Sequence, residues 1–196
     1  MAFTIPEQIA DLCCGIPWKS KGLIAGYKSA IRRTIEALKV ASDNGRIPIV
    51  CENSSCSEGL IKALKSELPV IDAVDYAARY LLPKLTISKK LNSVALHPTC
   101  SSTLLGSNKN LELLANAIAE QVTIPDEWGC CAFAGDRGML HPELTASATR
   151  AEVSSLGKMR FDAYLSTNRT CEIGMSKASG YTYEHILCKL NELTAQ

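Results

Sequence analysis

Two pairs of adjacent cysteines, Cys13-Cys14 and Cys130-Cys131, mark this chain, and each is followed about forty residues later by a lone cysteine in a similar setting. The first lone cysteine closes Asn53-Ser54-Ser55-Cys56 and the second closes Asn168-Arg169-Thr170-Cys171. A pair plus a distant cysteine, stated twice at nearly equal spacing, reads as a thiolate site built twice. Neighbouring cysteines pair poorly with each other because their geometry suits a disulfide badly, so their chemistry is that of thiols. In the second half Cys100 joins Cys130, Cys131 and Cys171. Four thiolates can close a tetrahedral zinc site or hold a [4Fe–4S] cluster. Four ionised sulfurs in one pocket also demand a cation to neutralise them. The C-x2-C spacing of zinc ribbons and the C-x2-C-x2-C run of ferredoxins are both absent, so a folded scaffold must bring these ligands together.

Alternating helices and short strands supply such a scaffold. The spacing predicts a helix over Ile24–Ala41, with Ala30, Ile31, Ile35 and Leu38 on one face, closed by Asn44-Gly45. A short strand follows over 47–51, then a helix from Ser57-Glu58 to about Leu68, ended by Pro69. A brief strand over 70–73 and a helix over 76–82 come next. Residues 93–96 read as a strand ending at His97-Pro98-Thr99-Cys100, 111–120 as a helix and 121–124 as a strand. A helix begins at Pro142 and runs to Leu156. A strand over 163–166 precedes a short helix opening at Cys171, and the last helix covers 182–192.

This alternation means an α/β fold, with short, mostly parallel sheets flanked by helices. Cys56, Cys100 and Cys171 fall just past the C-terminal ends of strands, the edge where open α/β sheets bind ligands. Helices starting after Cys56 and Cys171 would stabilise thiolates through their N-terminal dipole ends. The repeat extends beyond cysteine, since Ile5-Pro6-Glu7 precedes the first pair and Ile124-Pro125-Asp126 the second. We therefore expect two pseudo-symmetric halves, 1–90 and 91–196, with the first N-terminally incomplete.

Composition narrows the function classes. The chain has 196 residues, 46% of them apolar, and a net charge of +1. No basic field points to nucleic acid, and the few aromatics form no stacking platform. No window approaches the run of roughly 20 apolar residues that a membrane span needs, and the N-terminus is no signal peptide. Nine cysteines, an odd count without an export signal, argue for a reducing cytoplasm instead of a secreted disulfide framework. Cys51 and Cys188 sit among apolar neighbours and read as small buried hydrophobes.

Cys13-Cys14-Gly15-Ile16-Pro17, together with the cysteine layout, resembles the cysteine-rich "CCG" domain. That domain occurs in heterodisulfide reductase, in the iron–sulfur subunit of glycolate oxidase and in related oxidoreductases. A narrower resemblance lies in Cys130-Cys131-Ala132-Phe133-Ala134-Gly135-Asp136-Arg137-Gly138, Pro142-Glu143-Leu144-Thr145 and Arg169-Thr170-Cys171-Glu172-Ile173-Gly174. These segments look like the C-terminal end of bacterial FAD- and iron–sulfur-containing D-lactate dehydrogenases. The resemblance implies electron transfer from a flavin-containing subunit or domain to an acceptor such as a quinone or cytochrome. It implies a [4Fe–4S] cluster on Cys100, Cys130, Cys131 and Cys171, and a first, incomplete site on Cys13, Cys14 and Cys56. The setting would be cytoplasmic, peripheral at the inner membrane through partners.

Three departures from the family pattern bear on this reading. The family's cysteine about thirty residues before the first pair has no counterpart here, which leaves the first site three family-type thiolates. Asn53 and Asn168 stand where the heterodisulfide-reductase type has the leading cysteine of C-x2-C, and Ala132 follows the second pair where glycine is usual. The flavin domains of such dehydrogenases are also missing. The chain is expected to be a tail fragment, a separately encoded piece or a truncated frame, and not to oxidise lactate alone. FAD is expected only in a partner or in a missing N-terminal region.

Two further readings remain open. The same thiolates could bind zinc in a subunit-docking module, or the pairs could do thiol–disulfide chemistry without metal. His97 could donate to a cluster sulfur or ligate zinc, although a strand-end cap is its commoner role; His141 and His185 lie at a helix start or on a helix face and are weaker candidates. Arg137 could neutralise a reduced cluster or form a loop salt bridge, and Lys19 and Lys21 read as a solvated loop.

Overall fold

The computed structural model describes residues 3–65, 67–157 and 159–195. The chain divides into two compact units, Met1–Ala73 and Val74–Gln196.

In the first unit a 3-10 turn, Ile9–Asp11, leads to the first cysteine pair and then to α1 (Ile16–Ser20), which carries Pro17 in its first turn. Proline suits that place, because its missing N–H would have no helical partner there. Helix α2 (Ile24–Ala41) buries Ala30, Ile31, Thr34 and Leu38 at helical spacing. Strands β1 (Ile49–Cys51) and β2 (Val70–Asp72) pair in parallel, Ile49 opposite Val70 and Cys51 opposite Asp72, with α3 (Ser54–Leu64) as the crossover. Parallel strands require such a connection. Cys14, Ile31, Leu38, Leu60, Leu64 and Leu68 form the core. The α3 helix starts three residues before the expected Ser57, because Asn53 rather than Ser57 is its N-cap residue.

In the second unit α4 (Ala73–Tyr76) passes into a π turn (77–81) and a 3-10 turn (82–84), where a regular helix over 76–82 is expected from the pattern. Pro83, which lacks an N–H, limits that run. Strand β3 (Leu91–Leu96) is followed by α5 (Cys100–Leu105), α6 (Asn108–Ile118) and β4 (Ala119–Thr123). Beyond the second cysteine pair come α7 (Arg137–Leu140), α8 (Pro142–Ala148), α9 (Arg150–Leu156) and β5 (Ala163–Ser166). The chain closes with α10 (Arg169–Ser179), β6 (Tyr183–His185) and α11 (Ile186–Leu193).

The sheet order is β4-β3-β5-β6 and every pairing is parallel. The fold is α/β with short parallel sheets flanked by helices, as the alternation of elements requires. The central strands are apolar where they meet, since parallel sheets are covered on both faces. Val94, Ala95, Leu96 and Leu165 are fully buried. Burying one such leucine is worth about 2 kcal/mol. Leu111, Leu114, Ala115 and Ile118 of α6 pack on the sheet with Ile186 and Leu190 of α11. Two more elements depart from the sequence pattern: Tyr183–His185 is a strand where a helix is expected, and Thr149 divides the helix expected over 143–156. Among the described residues no helix is long and apolar enough to cross a membrane.

Candidate metal centre

The strand order delivers the cysteines. The chain leaves β3 through His97 and enters α5 at Cys100, capped by Thr99. The Thr99 hydroxyl accepts from the Ser102 N–H at 3.0 Å, and the Ser102 hydroxyl accepts from the Thr99 N–H at 3.0 Å. The next strand in the sheet, β5, leads to Asn168, whose side chain caps α10 by accepting from the Thr170 N–H at 3.4 Å. Cys171 thus lies in the first turn of α10, not ahead of it, and Cys100 opens a helix that periodicity alone does not indicate. First-turn placement aims unsatisfied backbone N–H groups and the positive helix end toward a thiolate.

The second pair lies in the irregular segment between β4 and α7. Cys131 Sγ is 3.1 Å from Cys171 Sγ, and Cys100 and Cys130 form a second interacting thiol pair. The Ala132 N–H donates to Cys130 Sγ at 3.4 Å. These contacts couple the four sulfurs in two pairs. The Cys171 thiol, and then the His97 ring, lower Cys131 to about 5 against the opposition of burial. The Cys100 thiol lowers Cys130 to about 6. Cys100 and Cys171 are both pushed well up, chiefly by the hydrogen bond each shares with its partner cysteine and also by burial. The structure thus brings Cys100, Cys130, Cys131 and Cys171 into one electrostatic neighbourhood, the field of Cys100 and Cys130 acting on Cys171.

Behind the sulfurs is a dry wall. Phe133 is fully buried and packs with Cys131, Cys171 and Ile173. Gly138 and Gly174 make room for it, since a Cβ on Gly138 would stand 2.9 Å from the Phe133 Cα. Ala132 and Ala134 take φ of +54° and +43°, a left-handed conformation that costs a non-glycine residue about 1 kcal/mol or more. The alanine at 132 therefore adopts the backbone that glycine would take more easily.

His97 is fully buried, and its Nδ1 lies 2.8 and 3.0 Å from the two carboxylate oxygens of Glu152, itself 1% exposed. Nε2 makes no well-formed hydrogen bond. Burial opposes a charge on the ring, but the Cys131 sulfur and then Glu152 outweigh it and raise His97 to about 9. The donor atoms of His97, Cys131 and Cys171 all lie within 4.8 Å of one another. Glu152 is the residue that sequence reasoning missed. It sits in a helical run where a glutamate ordinarily faces solvent, and its partner lies 55 residues earlier.

The first unit repeats the local chemistry with fewer sulfurs. Cys14 Sγ is 3.1 Å from Cys56 Sγ, and the Gly15 N–H donates to Cys13 Sγ at 3.4 Å. The hydrogen bond shared with Cys56 lowers Cys14 to about 6, and the same contact, together with burial, pushes Cys56 far up. Gly15 takes φ +79°, the counterpart of Ala132. Asn53 accepts from the Ser55 hydroxyl at 2.7 Å, as Asn168 does from the Thr170 hydroxyl at 3.1 Å. Cys51 is half-buried against the core beside this site and its thiol is raised by burial. Cys188, expected in an apolar setting, is exposed, because its position on α11 faces away from the buried Ile186 and Leu190. None of the nine cysteines forms a disulfide.

The remaining candidates lie elsewhere in their local structures. His185 accepts from the Leu187 N–H at 3.2 Å and caps α11, and His141 forms an exposed pair with Glu143. Arg137 opens α7, and Lys19 lies over the Tyr27 ring. The donor set at Cys100, Cys130, Cys131 and Cys171 fits a thiophilic metal or cluster. It combines four sulfurs, two of them at depressed pKa, with an orphaned buried ring nitrogen beside them.

Across 203 aligned residues the chain is 24% identical to a subunit of the anaerobic glycerol-3-phosphate dehydrogenase of Escherichia coli strain K12, and to the same-named protein of Escherichia coli O157:H7. The alignment covers 94% of this chain and 50% of each relative, so the chain spans about half the length of these curated relatives. A solved glutamate racemase, RacE1 of Bacillus anthracis, covers 81% of this chain and 59% of its own at 17% identity, with a TM-score of 0.39. Residues 94–176, which run from β3 into α10 and contain His97 and all four cysteines of the second site, match the family model of the cysteine-rich domain, CCG.

Proposed function

We propose that this chain is the electron-transferring, cysteine-rich part of a flavin-linked dehydrogenase, and that Cys100, Cys130, Cys131 and Cys171 hold a [4Fe–4S] cluster. One observation supports the reading: Cys131 and Cys171 lie 3.1 Å apart beside His97, with Cys100 and Cys130 in their electrostatic field, within the segment that matches the CCG model. A cluster bound there would supply one-electron storage and release. The chain's own contribution is to arrange its ligands. Cys130 and Cys131 are ready as thiolates near neutral pH, while Cys100 and Cys171 give up their protons on loading. Phe133 and its neighbours keep water from the inner side. Cys13, Cys14 and Cys56 form a second, three-sulfur site in the first half-repeat.

Substrate oxidation belongs to a flavin-containing partner, and the electrons pass on to a quinone or cytochrome. The relatives are named for glycerol 3-phosphate, and the sequence resemblance points to D-lactate or glycolate. All three substrates lose hydrogen from a hydroxyl-bearing carbon, which is flavin chemistry. The complex works at the cytoplasmic face of the inner membrane, through partners.

Anaerobic reconstitution with iron and sulfide tests the proposal. The expected product is brown, absorbs broadly near 400 nm, and carries about four irons in the second site. Cys171→Ser abolishes that absorbance, and Cys13→Ser leaves it in place. Colourless, iron-free protein after reconstitution overturns the cluster reading. Equimolar tight zinc in its place favours a structural docking module, which the grouping of His97 with Cys131 and Cys171 would also suit.

A further inference from the structure

We propose that His97 Nε2, fixed by Glu152, is a nitrogen ligand to the metal group held by Cys131 and Cys171, making the second site a mixed sulfur–nitrogen centre. This rests on the reading of that site as metal-binding, and deepens it.

Three observations converge. The Nε2 atom is fully buried and lacks a well-formed hydrogen bond, a rare state for a ring nitrogen in a folded interior. A ring nitrogen of His97 lies within 4.8 Å of both the Cys131 and Cys171 sulfurs. Its Nδ1 is held by both oxygens of a buried carboxylate. A metal-bound imidazole ordinarily donates its second N–H to a carboxylate, which fixes the tautomer and aims the free lone pair. Glu152 does this for His97, and Tyr183 meets the imidazole edge-on at a centroid separation of 6.5 Å, holding the ring plane.

A strand-end cap does not account for this geometry. The His97 N–H and C=O are both used by the sheet, donating to the Leu165 carbonyl at 2.9 Å and accepting from the Ser166 hydroxyl at 3.0 Å. The side chain is therefore free of any backbone duty. Burying an imidazole and a carboxylate together is unfavourable unless both are paired, and beyond Glu152 the group that meets the His97 ring is the Cys131 sulfur, which places the ring against a metal ligand. The first unit offers three pair-and-lone cysteines, and among its described residues no histidine occurs, so the two sites differ in donor chemistry.

The test is titration of the anaerobic, metal-free chain with Co2+, read by thiolate-to-cobalt charge transfer and by proton NMR, beside iron reconstitution of the same variants. The expected result is a solvent-exchangeable imidazole N–H resonance shifted far downfield by Co2+ in the wild type. His97→Ala loses this resonance and weakens Co2+ binding at the second site by about 10- to 100-fold. His97→Cys loses the resonance but restores affinity, which separates coordination from damage to the fold. A cobalt spectrum that His97→Ala leaves unchanged, or a Co2+-loaded wild type without the shifted N–H, overturns the inference. Cobalt bound through His97 with no iron cluster formed sinks the cluster proposal and leaves the nitrogen ligand standing. No charge-transfer band from the second site and no iron uptake sink both.

Discussion

Gly59 and Gly174 occupy the same place in two different helices. Each lies three residues past a lone cysteine, and a Cβ built on it would stand 4.0 Å from the Cys14 Cβ in one unit and 3.7 Å from the Cys131 Cβ in the other. Each glycine therefore lets the helix that carries the lone cysteine close on the cysteine pair, and each pair of sulfurs sits 3.1 Å apart. At position 174 the space is also bounded by Phe133 at 3.2 Å and Thr145 at 3.3 Å. Gly174→Ala is expected to lower stability by about 1–3 kcal/mol through overpacking. It should also weaken Co2+ binding at the second site. Denaturant melts and metal titration check it, and an unchanged affinity would show that helix α10 does not set the sulfur spacing.

Ala132 carries backbone strain that a glycine would relieve. Ala132→Gly should leave the metal-free domain as stable as the wild type or more stable by up to about 1 kcal/mol, the larger unfolded-state entropy of glycine offsetting part of the gain. The Cys130 thiolate keeps its hydrogen bond from the residue 132 N–H, so reconstitution is preserved. Loss of more than about 1 kcal/mol in a denaturant melt would mean the left-handed turn is held by the alanine methyl itself.

Glu152 is expected to be the most sensitive single position outside the cysteines. Glu152→Ala leaves the buried His97 without its partner and should destabilise the domain by about 3 kcal/mol or more. Glu152→Gln keeps an acceptor for the ring N–H and should cost less, while lowering metal affinity about tenfold or more. Thermal melts and Co2+ titration of both variants separate the two effects.

Cys130 is the exposed thiolate of the second site. In the metal-free chain its alkylation by iodoacetamide should rise as pH passes about 6 and level off above it, since the thiolate is the nucleophile. Removing its partner thiol with Cys100→Ala should move that inflection upward, toward the ordinary thiol range. Bound metal should protect Cys130 across the pH range in which it stays bound. Peptide mapping by mass spectrometry reads all three results.

Much of this was legible because it rests on local pattern. Helix Ile24–Ala41 and strand Ala163–Ser166 follow from periodicity and from a run of buried apolar residues. The short elements did not announce themselves. Helix α5 hides in Cys100-Ser101-Ser102, a stretch that reads as a loop until Thr99 and Ser102 are seen to cap each other. Strand β6 is three residues long and runs straight into α11, with His185 acting as the cap in place of a serine or asparagine. The cysteines of the site could be chosen from spacing and from likeness to a family. Glu152 could not, because its meaning depends on a histidine that only the β3–β5 pairing brings near.

That pairing has a temporal consequence. His97 and Cys100 leave the ribosome roughly seventy residues before Cys171, yet the strands that seat them are neighbours, joined by Val94 to Ala163 and Leu96 to Leu165. Contacts so distant along the chain form late in folding. A nascent chain thus exposes most of its sulfurs before it owns a pocket, and orderly loading must wait until synthesis has passed β5 and α10.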